Sequence, residues 1–179
     1  MIIIIEGPDR VGKDSLIRNL NNRFYRENLV NIHYSAIHPY DKKMSIRELS
    51  ENINRTMFNL LNTNFNFILN RAHLGEMVYA PKYRNYPGDY VFELEKNLKR
   101  TDVFLILLTD SPETLAKRDD GKSISNKVQD IENEIELFRK ALKMSGIKNK
   151  LEISCCGKTK EQVASEAIKF IEKSLRIFN

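Results

Sequence analysis

Cysteine and long apolar runs are scarce in this 179-residue sequence, and each absence argues against a class of protein. The only two cysteines, Cys155 and Cys156, are adjacent, so they suggest neither a disulfide framework nor a metal site and favour a reducing compartment. The longest apolar run, Val103 to Leu108, is far too short to span a bilayer. The isoleucines at the start lack a basic flank and a cleavage site, which argues against a signal peptide. We therefore expect a cytoplasmic protein without a membrane partner.

The sequence also lacks the marks of a divided chain or of a nucleic-acid-binding protein. It has no internal repeat, no low-complexity linker and no RNA- or DNA-binding signature, and its basic residues are spread along the chain. The net charge of +5 suits an anionic ligand, although an excess of this size is often only a solvated surface. With 41% hydrophobic and 30% charged residues, residues 1–179 are expected to form one globular domain without a stable nucleic-acid partner.

The first fifteen residues are the most informative stretch. Ile2 to Ile5 form a β-branched run that is typical of a buried parallel strand. The motif Gly7-x-x-x-x-Gly12-Lys13 follows at once, and apolar residues then recur at helical spacing at Leu16, Ile17 and Leu20. A strand, a glycine loop and a helix in this order predict a phosphate-binding loop.

The chemistry of phosphate binding explains these residue types. Gly7 and Gly12 permit backbone angles and a close approach that a Cβ atom would prevent. Backbone N–H groups can then point at phosphate oxygens, and the helix that starts near Lys13 adds its positive end. Lys13 would place its ammonium group on the outer phosphates, where charge moves during transfer. The alternative is an ordinary glycine turn, which would not need Lys13.

Hydrophobic periodicity predicts five strands that alternate with helices. The strands are expected at residues 2–5, 30–35, 65–69, 103–108 and 151–154. The first helix is expected over residues 13–26, and a loop over 36–44. Ser45 to Glu48 is a capping box that opens the next helix, whose predicted apolar face is Ile46, Leu49, Ile53, Met57 and Leu60. Further helices are expected from about residues 74, 88, 111, 128 and 159, with a break near Pro81.

Alternating strands and helices predict an α/β fold with a parallel sheet and helices on both faces. In such folds, ligands bind at the carboxyl ends of the strands. The candidate functional residues all follow strands: residues 7–15 follow the first, Asn70 and Arg71 the third, Asp110 the fourth, and residues 155–158 the fifth. We therefore expect a single site at this edge of the sheet.

Three segments carry a family resemblance. Residues 6–13 are Glu-Gly-Pro-Asp-Arg-Val-Gly-Lys, residues 71–79 are Arg-Ala-His-Leu-Gly-Glu-Met-Val-Tyr, and Pro112-Glu113 is followed by Arg118. The first segment resembles the Glu-Gly-x-Asp-Arg-x-Gly-Lys loop of eukaryotic-type thymidylate kinases. The second resembles the Asp-Arg-Tyr-x-x-Ser-x-x-Ala-Tyr-Gln segment of these kinases, and the third resembles the Pro-Glu-x-x-x-x-Arg motif at the start of their lid. The chain thus resembles the thymidylate kinase-like branch of the P-loop nucleotide kinases, which includes deoxynucleoside kinases. It also looks like small phage-encoded nucleotide kinases.

The resemblance implies a three-layer P-loop kinase fold with a five-stranded parallel sheet, an acceptor-binding region and a lid at about residues 118–127. It implies transfer of the γ-phosphoryl group of ATP, with Mg²⁺, to a deoxynucleoside monophosphate or a deoxynucleoside. Small-molecule nucleotides would then be the partners. A homodimer is compatible with the resemblance, because family members often dimerise through helices.

Carried over by position, the catalytic roles fall on Arg10, Lys13 and Arg71. Lys13 would hold the outer phosphates and Arg10 would reach the transferring phosphoryl group. Arg71 would grip the acceptor phosphate, which matches a guanidinium fork. Residues 155–158 would lie beside the adenine, and the remaining ATP-binding residues would be Gly7, Val11, Gly12, Asp14, Ser15 and Arg118. The alternatives are a surface arginine for Arg10, a salt bridge for Arg71 and a solvated helix end for Arg118.

The resemblance also implies an acceptor site. Asp9 would hold the acceptor sugar hydroxyl. Tyr79 and the tyrosines beyond it, including Tyr83, would stack on a base or close on a sugar, although aromatic residues near a helix end are more often core. Glu76 would contact the acceptor, with a plain polar helix residue as the alternative. His73 is expected to be such a polar helix residue and not a catalytic base.

Two positions depart from the family pattern. Asp14 replaces the Ser or Thr that normally follows the lysine, and Asn70 replaces the Asp that precedes the arginine of the third-strand motif. Since the first and third strands of P-loop proteins usually lie side by side, we hypothesise that the carboxylate has moved from position 70 to position 14. Asp14 would then ligate Mg²⁺. The rival hypothesis is a nucleotide-binding module without turnover, against which the retained Arg10, Lys13 and Arg71 argue.

The acceptor itself is predicted from a missing carboxylate. A nucleoside hydroxyl needs a general base to become a nucleophile, whereas a monophosphate is already an anion. In deoxynucleoside kinases this base is a carboxylate after the second strand, but residues 33–40 contain none and Asp41 is the first. This favours a monophosphate acceptor over the alternatives, a deoxynucleoside kinase or another small-molecule P-loop kinase.

Overall fold

The computed structural model describes residues 1–34, 45–118, 121, 123 and 125–175. Within these ranges the strands are β1 (Ile2–Glu6), β2 (Val30–His33), β3 (Phe67–Asn70), β4 (Val103–Thr109) and β5 (Asn149–Ser154). The α-helices are α1 (Lys13–Arg23), α2 (Ile46–Leu61), α3 (His73–Tyr79), α4 (Tyr90–Glu95), α5 (Pro112–Lys117), α6 (Val128–Met144) and α7 (Lys160–Leu175). A 3₁₀ turn spans Tyr25–Glu27, and a π-helical turn spans Ala80–Arg84.

The strands form one sheet in the order β2-β3-β1-β4-β5, and every pairing is parallel. The predicted five-stranded parallel sheet is therefore confirmed. Strand β1 lies between β3 and β4, which explains why its four isoleucines are completely buried. Ile5 is in register with Asn70, so the loop after β1 and the residues after β3 leave the sheet side by side.

Two apolar cores cover the two faces of the sheet, as the α/β prediction requires. Ile3 and Ile5 face a core that contains residues of α1 and α7. Ile2 and Ile4 face the other core, which contains residues of α2 and α3. Since each fully buried apolar side chain stabilises the fold by about 1.5–3 kcal/mol, this alternation secures β1 as the central strand. No helix in the described ranges is both long and apolar enough to cross a bilayer.

Several element boundaries differ from the prediction because they depend on the neighbouring strand. Strand β3 begins at Phe67 and not at Phe65, since Phe67 pairs with Ile2 where β1 begins, and Phe65 is 63% exposed. Strand β5 begins at Asn149, two residues earlier than expected, because β4 already offers it a partner there. Helix α1 ends at Arg23 and not at residue 26, where the 3₁₀ turn takes over. Residue 35, expected to end β2, and the expected loop over 36–44 lie outside the described residues.

The predicted face of α2 is correct at Met57, which is buried, but wrong at its two ends. Ile46 and Leu60 are about 40% exposed, and the buried positions are Ser50, Asn54, Met57, Phe58 and Leu61. The amide of Asn54 donates to Ser50 O at 2.9 Å and lies 3.2 Å from the Tyr34 hydroxyl. Buried polar groups are tolerated when they are hydrogen-bonded, so hydrophobicity alone missed the buried positions Ser50 and Asn54. The capping box of Ser45 and Glu48 is confirmed.

The chain does not leave the helical path at Pro81. Helix α3 ends at Tyr79, close to the predicted break, but the π-helical turn Ala80–Arg84 continues it. A proline has no N–H to donate, and a π-turn accommodates this locally. The turn keeps this segment against α6, where the ring of Tyr79 packs edge-on against Phe138 at a centroid distance of 5.7 Å.

Candidate active site

The loop that joins β1 to α1 depends on unusual backbone angles. Gly7 has φ 138° and Gly12 has φ 105°. A Cβ atom on Gly7 would lie 2.3 Å from the carbonyl oxygen of Leu108 in β4, whereas one on Gly12 would meet no atom within 4 Å. Arg10, between them, has φ 65°, which is uncommon for a residue with a side chain. The loop therefore has the backbone of a phosphate-binding turn, and β4 supports it from below.

We expect alanine at the two glycines to destabilise the fold unequally. Gly12→Ala should lower the free energy of unfolding by about 1–3 kcal/mol, because only its positive φ is strained. Gly7→Ala should add about 1–3 kcal/mol to that loss, because its methyl group also overlaps backbone atoms of β4. Urea denaturation with unchanged m-values measures the difference. Equal losses at the two positions would contradict the close approach to Leu108.

Lys13 is held inside the loop. Its buried Nζ donates to Gly7 O at 2.8 Å and to Pro8 O at 2.6 Å. Burial, reinforced by the nearby guanidinium of Arg71, lowers the pKa of Lys13 to about 8, and Asp9 opposes this shift. The ammonium group is therefore largely desolvated, which strengthens its attraction for an incoming phosphate.

Arg71 and Asp9 form an ion pair between the third strand and the loop. Arg71 Nη2 donates to Asp9 Oδ1, and both side chains remain about one quarter exposed. Arg71 has φ 67°, so both arginines assigned to catalysis occupy the left-handed region. Strained backbone of this kind collects at functional sites. The structure thus places two predicted acceptor-binding residues together beside Lys13. They are Arg71, predicted to bind the acceptor phosphate, and Asp9, predicted to bind the acceptor sugar.

Glu6 supports this arrangement from beneath. Its completely buried Oε1 accepts the backbone N–H groups of Ala72 and Leu74 at 2.9 Å and that of Gly75 at 3.4 Å. It therefore accepts hydrogen bonds from the backbone N–H groups at the start of α3, which lack partners within the helix. These bonds orient the chain that follows Arg71. Burial raises the pKa of Glu6. From the sequence, Glu6 was recognisable only as part of the loop motif. Its position directly after four isoleucines nevertheless indicates that its carboxylate is buried.

Asp14 and Asn70 are in contact, as the order of the strands predicted. The amide Nδ2 of Asn70 donates to Asp14 Oδ1 at 2.6 Å and lies 3.2 Å from Nδ1 of His33. The buried Oδ1 of Asn70 has no hydrogen-bond partner among the described groups. A carboxylate and an unpartnered amide oxygen are hard oxygen donors, which fits a magnesium ion that is shared with phosphate oxygens.

A cavity of about 380 Å³ opens on the other side of the loop. Its walls include Val11, Gly12, Ser15, Arg118, Cys155 and Lys158. The cavity brings four of the predicted ATP-binding residues, Val11, Gly12, Ser15 and Arg118, together with the loop after β5, whereas Gly7, Lys13 and Asp14 do not line it. Its volume is typical of a small-molecule site. Burial raises the pKa of the Cys155 thiol to about 11, so this side chain presents a neutral surface at neutral pH.

The described ends of the expected lid both touch Arg10. Arg118 pairs with Asp110 at 3.1 Å and donates to the backbone oxygen of Arg10 at 3.3 Å. At the other end, Arg10 Nη2 donates to the backbone oxygen of Ser125 at 2.5 Å. Residues 119, 120, 122 and 124 lie outside the described part of the chain, and with them the lid candidate Lys122.

Glu76 is buried in a polar cluster instead of being open to a ligand. Its carboxylate accepts from Arg84 Nη1 at 2.5 Å, from the Tyr86 hydroxyl at 2.7 Å and from the Tyr90 hydroxyl at 3.0 Å. Both carboxylate oxygens are thus occupied, and the side chain is fully buried. Glu76 holds the segment after the π-turn in place. Tyr86 and Tyr90 are among the tyrosines predicted to stack on a base or close on a sugar, and here their hydroxyls donate to Glu76. Arg84 becomes recognisable only through this shared partner.

The two tyrosines assigned to the acceptor site point in different directions. The buried hydroxyl of Tyr79 has no partner among the described groups, and burial raises its pKa. The Tyr83 hydroxyl instead donates to Glu134 of α6 at 2.6 Å and contacts Ser125. His73 is buried, and its Nε2 lies 2.7 Å from Glu95 Oε2.

Comparison with known proteins adds evidence on the fold. No family model matches the sequence, and no curated protein is detectably similar to it. Among solved structures, the YorR protein from Bacillus subtilis, in complex with phosphorylated GDP, is similar over 98% of both chains, with a TM-score of 0.72 and 21% identity. The chain has the P-loop kinase fold. Thymidylate kinase from Candida albicans has a TM-score of 0.67 at 17% identity, over 97% of this chain and 91% of its own.

A third structure with the P-loop kinase fold is the gluconokinase from Sinorhizobium meliloti 1021. It has a TM-score of 0.58 at 15% identity, over 98% of this chain and 94% of its own. The structures that share the P-loop kinase fold with this chain thus include both a nucleotide kinase and a sugar kinase. At these identities the fold is shown, and the activity has to be inferred from the residues of the site.

Proposed function

We propose that this protein transfers the γ-phosphoryl group of ATP to a deoxynucleoside monophosphate. The observation that carries this proposal is the ion pair of Asp9 and Arg71 beside the buried ammonium of Lys13. It provides a guanidinium for a second phosphate next to the loop that binds the first. A site that only bound ATP would need Lys13 and the donor cavity, but not a strained arginine on the opposite side.

The donor side of this reaction would use the loop and the cavity. Adenine would enter the cavity between Arg118 and the loop after β5, which leaves the phosphates on the N–H groups of residues 7–13. Lys13 would exchange its carbonyl partners for phosphate oxygens, and Arg10 would stabilise the charge on the transferring group. Phosphoryl transfer is catalysed mainly by such positioning and electrostatic stabilisation.

The acceptor side would use the exchange of one ion pair for another. Arg71 would leave Asp9 for the acceptor phosphate, and Asp9 would then accept a hydrogen bond from the sugar hydroxyl. No general base is required, because the attacking phosphate oxygen is already anionic. Residues 35–40, on which the argument against a nucleoside acceptor depends, lie outside the described residues.

Asp14 and the unpartnered Oδ1 of Asn70 would hold the Mg²⁺ ion that accompanies ATP. The ion would neutralise negative charge on the phosphates. The hydrogen bond between the two side chains orients the carboxylate and leaves the amide oxygen available as an acceptor. This is the arrangement expected if one carboxylate has moved from position 70 to position 14.

Exchange of the two side chains tests this relocation. Asp14→Ser alone should raise the Mg²⁺ concentration for half-maximal activity about tenfold or more, as the loss of a metal-orienting carboxylate does elsewhere. The double variant Asp14→Ser/Asn70→Asp should recover most of the loss, because it restores one carboxylate at the same place. Mg²⁺ titrations of initial rate measure both, with the exposed Asp89→Asn as a control. Higher activity of Asp14→Ser at fixed Mg²⁺ would refute the relocation.

The proposed activity is tested by ADP formation from Mg²⁺-ATP with the four deoxynucleoside monophosphates, their nucleosides and gluconate. We expect turnover with at least one monophosphate and much weaker turnover with its nucleoside. Turnover with a nucleoside or gluconate alone would replace the proposal by one of the other kinase activities. ATP binding measured by calorimetry without any turnover would favour a nucleotide-binding module instead.

A further inference from the structure

Glu134 is a buried carboxylate to which the reaction proposed above assigns no role. It lies on α6 and is only 3% exposed. Three side chains donate to its Oε1: the Tyr83 hydroxyl at 2.6 Å, Lys82 Nζ at 3.3 Å and the hydroxyl of Ser125. A buried carboxylate is tolerated only when it is paired and hydrogen-bonded, so these partners must remain in place around it.

One of these partners leads directly to the phosphate-binding loop. Ser125 is buried and gives its hydroxyl to Glu134, while its backbone oxygen accepts from Arg10 Nη2 at 2.5 Å. The hydrogen bond between Glu134 and Ser125 therefore fixes the position of this carbonyl. Through the carbonyl it also fixes one contact of the Arg10 guanidinium. A long arginine side chain has many rotamers, so a fixed acceptor narrows the set that points at the phosphates.

The other two partners come from the acceptor side. Lys82 and Tyr83 belong to the π-turn Ala80–Arg84, and the Tyr83 ring lies 6.0 Å from that of Tyr79. Lys82 also donates to the backbone oxygen of Asp130 in α6 at 3.0 Å. A single carboxylate thus joins the turn after α3 to the end of the lid that reaches Arg10.

We propose that Glu134 is a positioning residue that fixes Arg10 through Ser125 and ties it to the turn that carries Tyr83. This role rests on the proposed phosphoryl transfer, in which Arg10 stabilises the transferring group. Glu134 itself touches neither the donor cavity, which Arg10 lines, nor the pair of Asp9 and Arg71, so we expect its main effect on the transition state. A carboxylate that merely stabilised the fold would affect the melting temperature and leave kcat unchanged.

Steady-state kinetics of Glu134→Gln separate the two roles. We expect kcat to fall by about tenfold to a hundredfold, the range for a displaced catalytic group, with KM for ATP and for the acceptor within about twofold of wild type. Glu136→Gln, an exposed glutamate of the same helix, is the matched control and should retain wild-type kcat. In an Arg10→Ala background, Glu134→Gln should cause no further loss, because the group that it positions is gone.

Each other outcome has a defined meaning. An unchanged kcat for Glu134→Gln, or losses that multiply with those of Arg10→Ala, would overturn the positioning role while the phosphoryl-transfer activity stood. If Glu134→Gln does not fold, Tyr83→Phe replaces it, with an expected loss of about twofold to tenfold for one hydrogen bond and the same absence of effect without Arg10. A wild-type protein without turnover would overturn the proposed function. Hydrogen exchange of residues 125–128 then tests whether Glu134 holds Ser125 in place. We expect faster exchange in Glu134→Gln than in Glu136→Gln, and equal exchange in the two variants would overturn this role.

Discussion

Replacement of Lys13 by methionine is expected to lower kcat/KM for ATP by about a thousandfold, because in the proposed reaction the ammonium group that the loop holds would bind the outer phosphates. The protein should remain folded. Burial lowers the pKa of Lys13 to about 8, so the folded state binds this proton less tightly than the unfolded chain does, although the ammonium form still predominates at neutral pH. Keeping that charge buried costs stability, and an apolar residue of similar length should match or exceed wild-type stability.

Initial rates and urea denaturation of the same samples test this separation of activity from stability. Lys169→Met, an exposed lysine of α7, is the control and should leave both quantities unchanged. Loss of activity accompanied by a large loss of stability would mean that Lys13 is mainly structural. Retained activity would refute the assignment of the loop.

The depressed pKa of Lys13 also predicts a pH dependence. In the free protein the ammonium group loses its proton as the pH rises through about 8, so kcat/KM for ATP should decline above that pH. In the pH profile of kcat this decline should begin at a higher pH, because a bound triphosphate favours the charged lysine. The decline should be absent in Lys13→Arg, since arginine stays protonated. A decline that persists in Lys13→Arg would mean that another group causes it.

The second large effect is expected at Arg71. Arg71→Ala should raise KM for the monophosphate acceptor by about a hundredfold or more, because charge-assisted hydrogen bonds to a phosphate contribute about 1.5–3 kcal/mol each. KM for ATP should change little, since the donor cavity lies on the other side of the loop. Arg71→Lys should recover only part of the loss, because an ammonium group cannot make the two parallel bonds of a guanidinium.

Bisubstrate kinetics measure both Michaelis constants in one experiment. Arg55→Ala, an exposed arginine of α2, provides the control for loss of a positive charge. If Arg71→Ala raised KM for ATP and not for the acceptor, the assignment of the two sides of the site would be reversed.

Local patterns were sufficient to predict much of the architecture. The isoleucine strand, the glycine loop and the helix caps at Ser45 and Ser111 each depend on residues that are neighbours in sequence. The proximity of Asp14 and Asn70 was predicted from the family resemblance, because the first and third strands of P-loop proteins usually lie side by side. In a parallel sheet the strand order alone decides which carboxyl ends meet.

The partners of buried polar groups could not be predicted in this way. Asn54 lies on the buried face of α2 because Tyr34 and Tyr90, from distant segments, share its amide. Tyr83 was assigned to a ligand, yet its hydroxyl is directed to Glu134, a residue 51 positions away. Glu134 is buried on the same face of α6 as Ile131 and Phe138, but its spacing from them does not say which groups it binds.

The sequence by itself therefore determined the alternation of strands and helices and the glycine loop after β1, because these follow from local backbone preferences and hydrophobic periodicity. Only the tertiary structure decided which charged side chains meet. Glu6 accepts hydrogen bonds from the start of α3, Glu76 accepts them from Arg84 and two tyrosines, and Glu134 joins Ser125 to the π-turn that carries Tyr83. The physical reason is that the role of a buried carboxylate depends on its hydrogen-bond donors. These donors lie on other elements, and only folding brings them to the carboxylate.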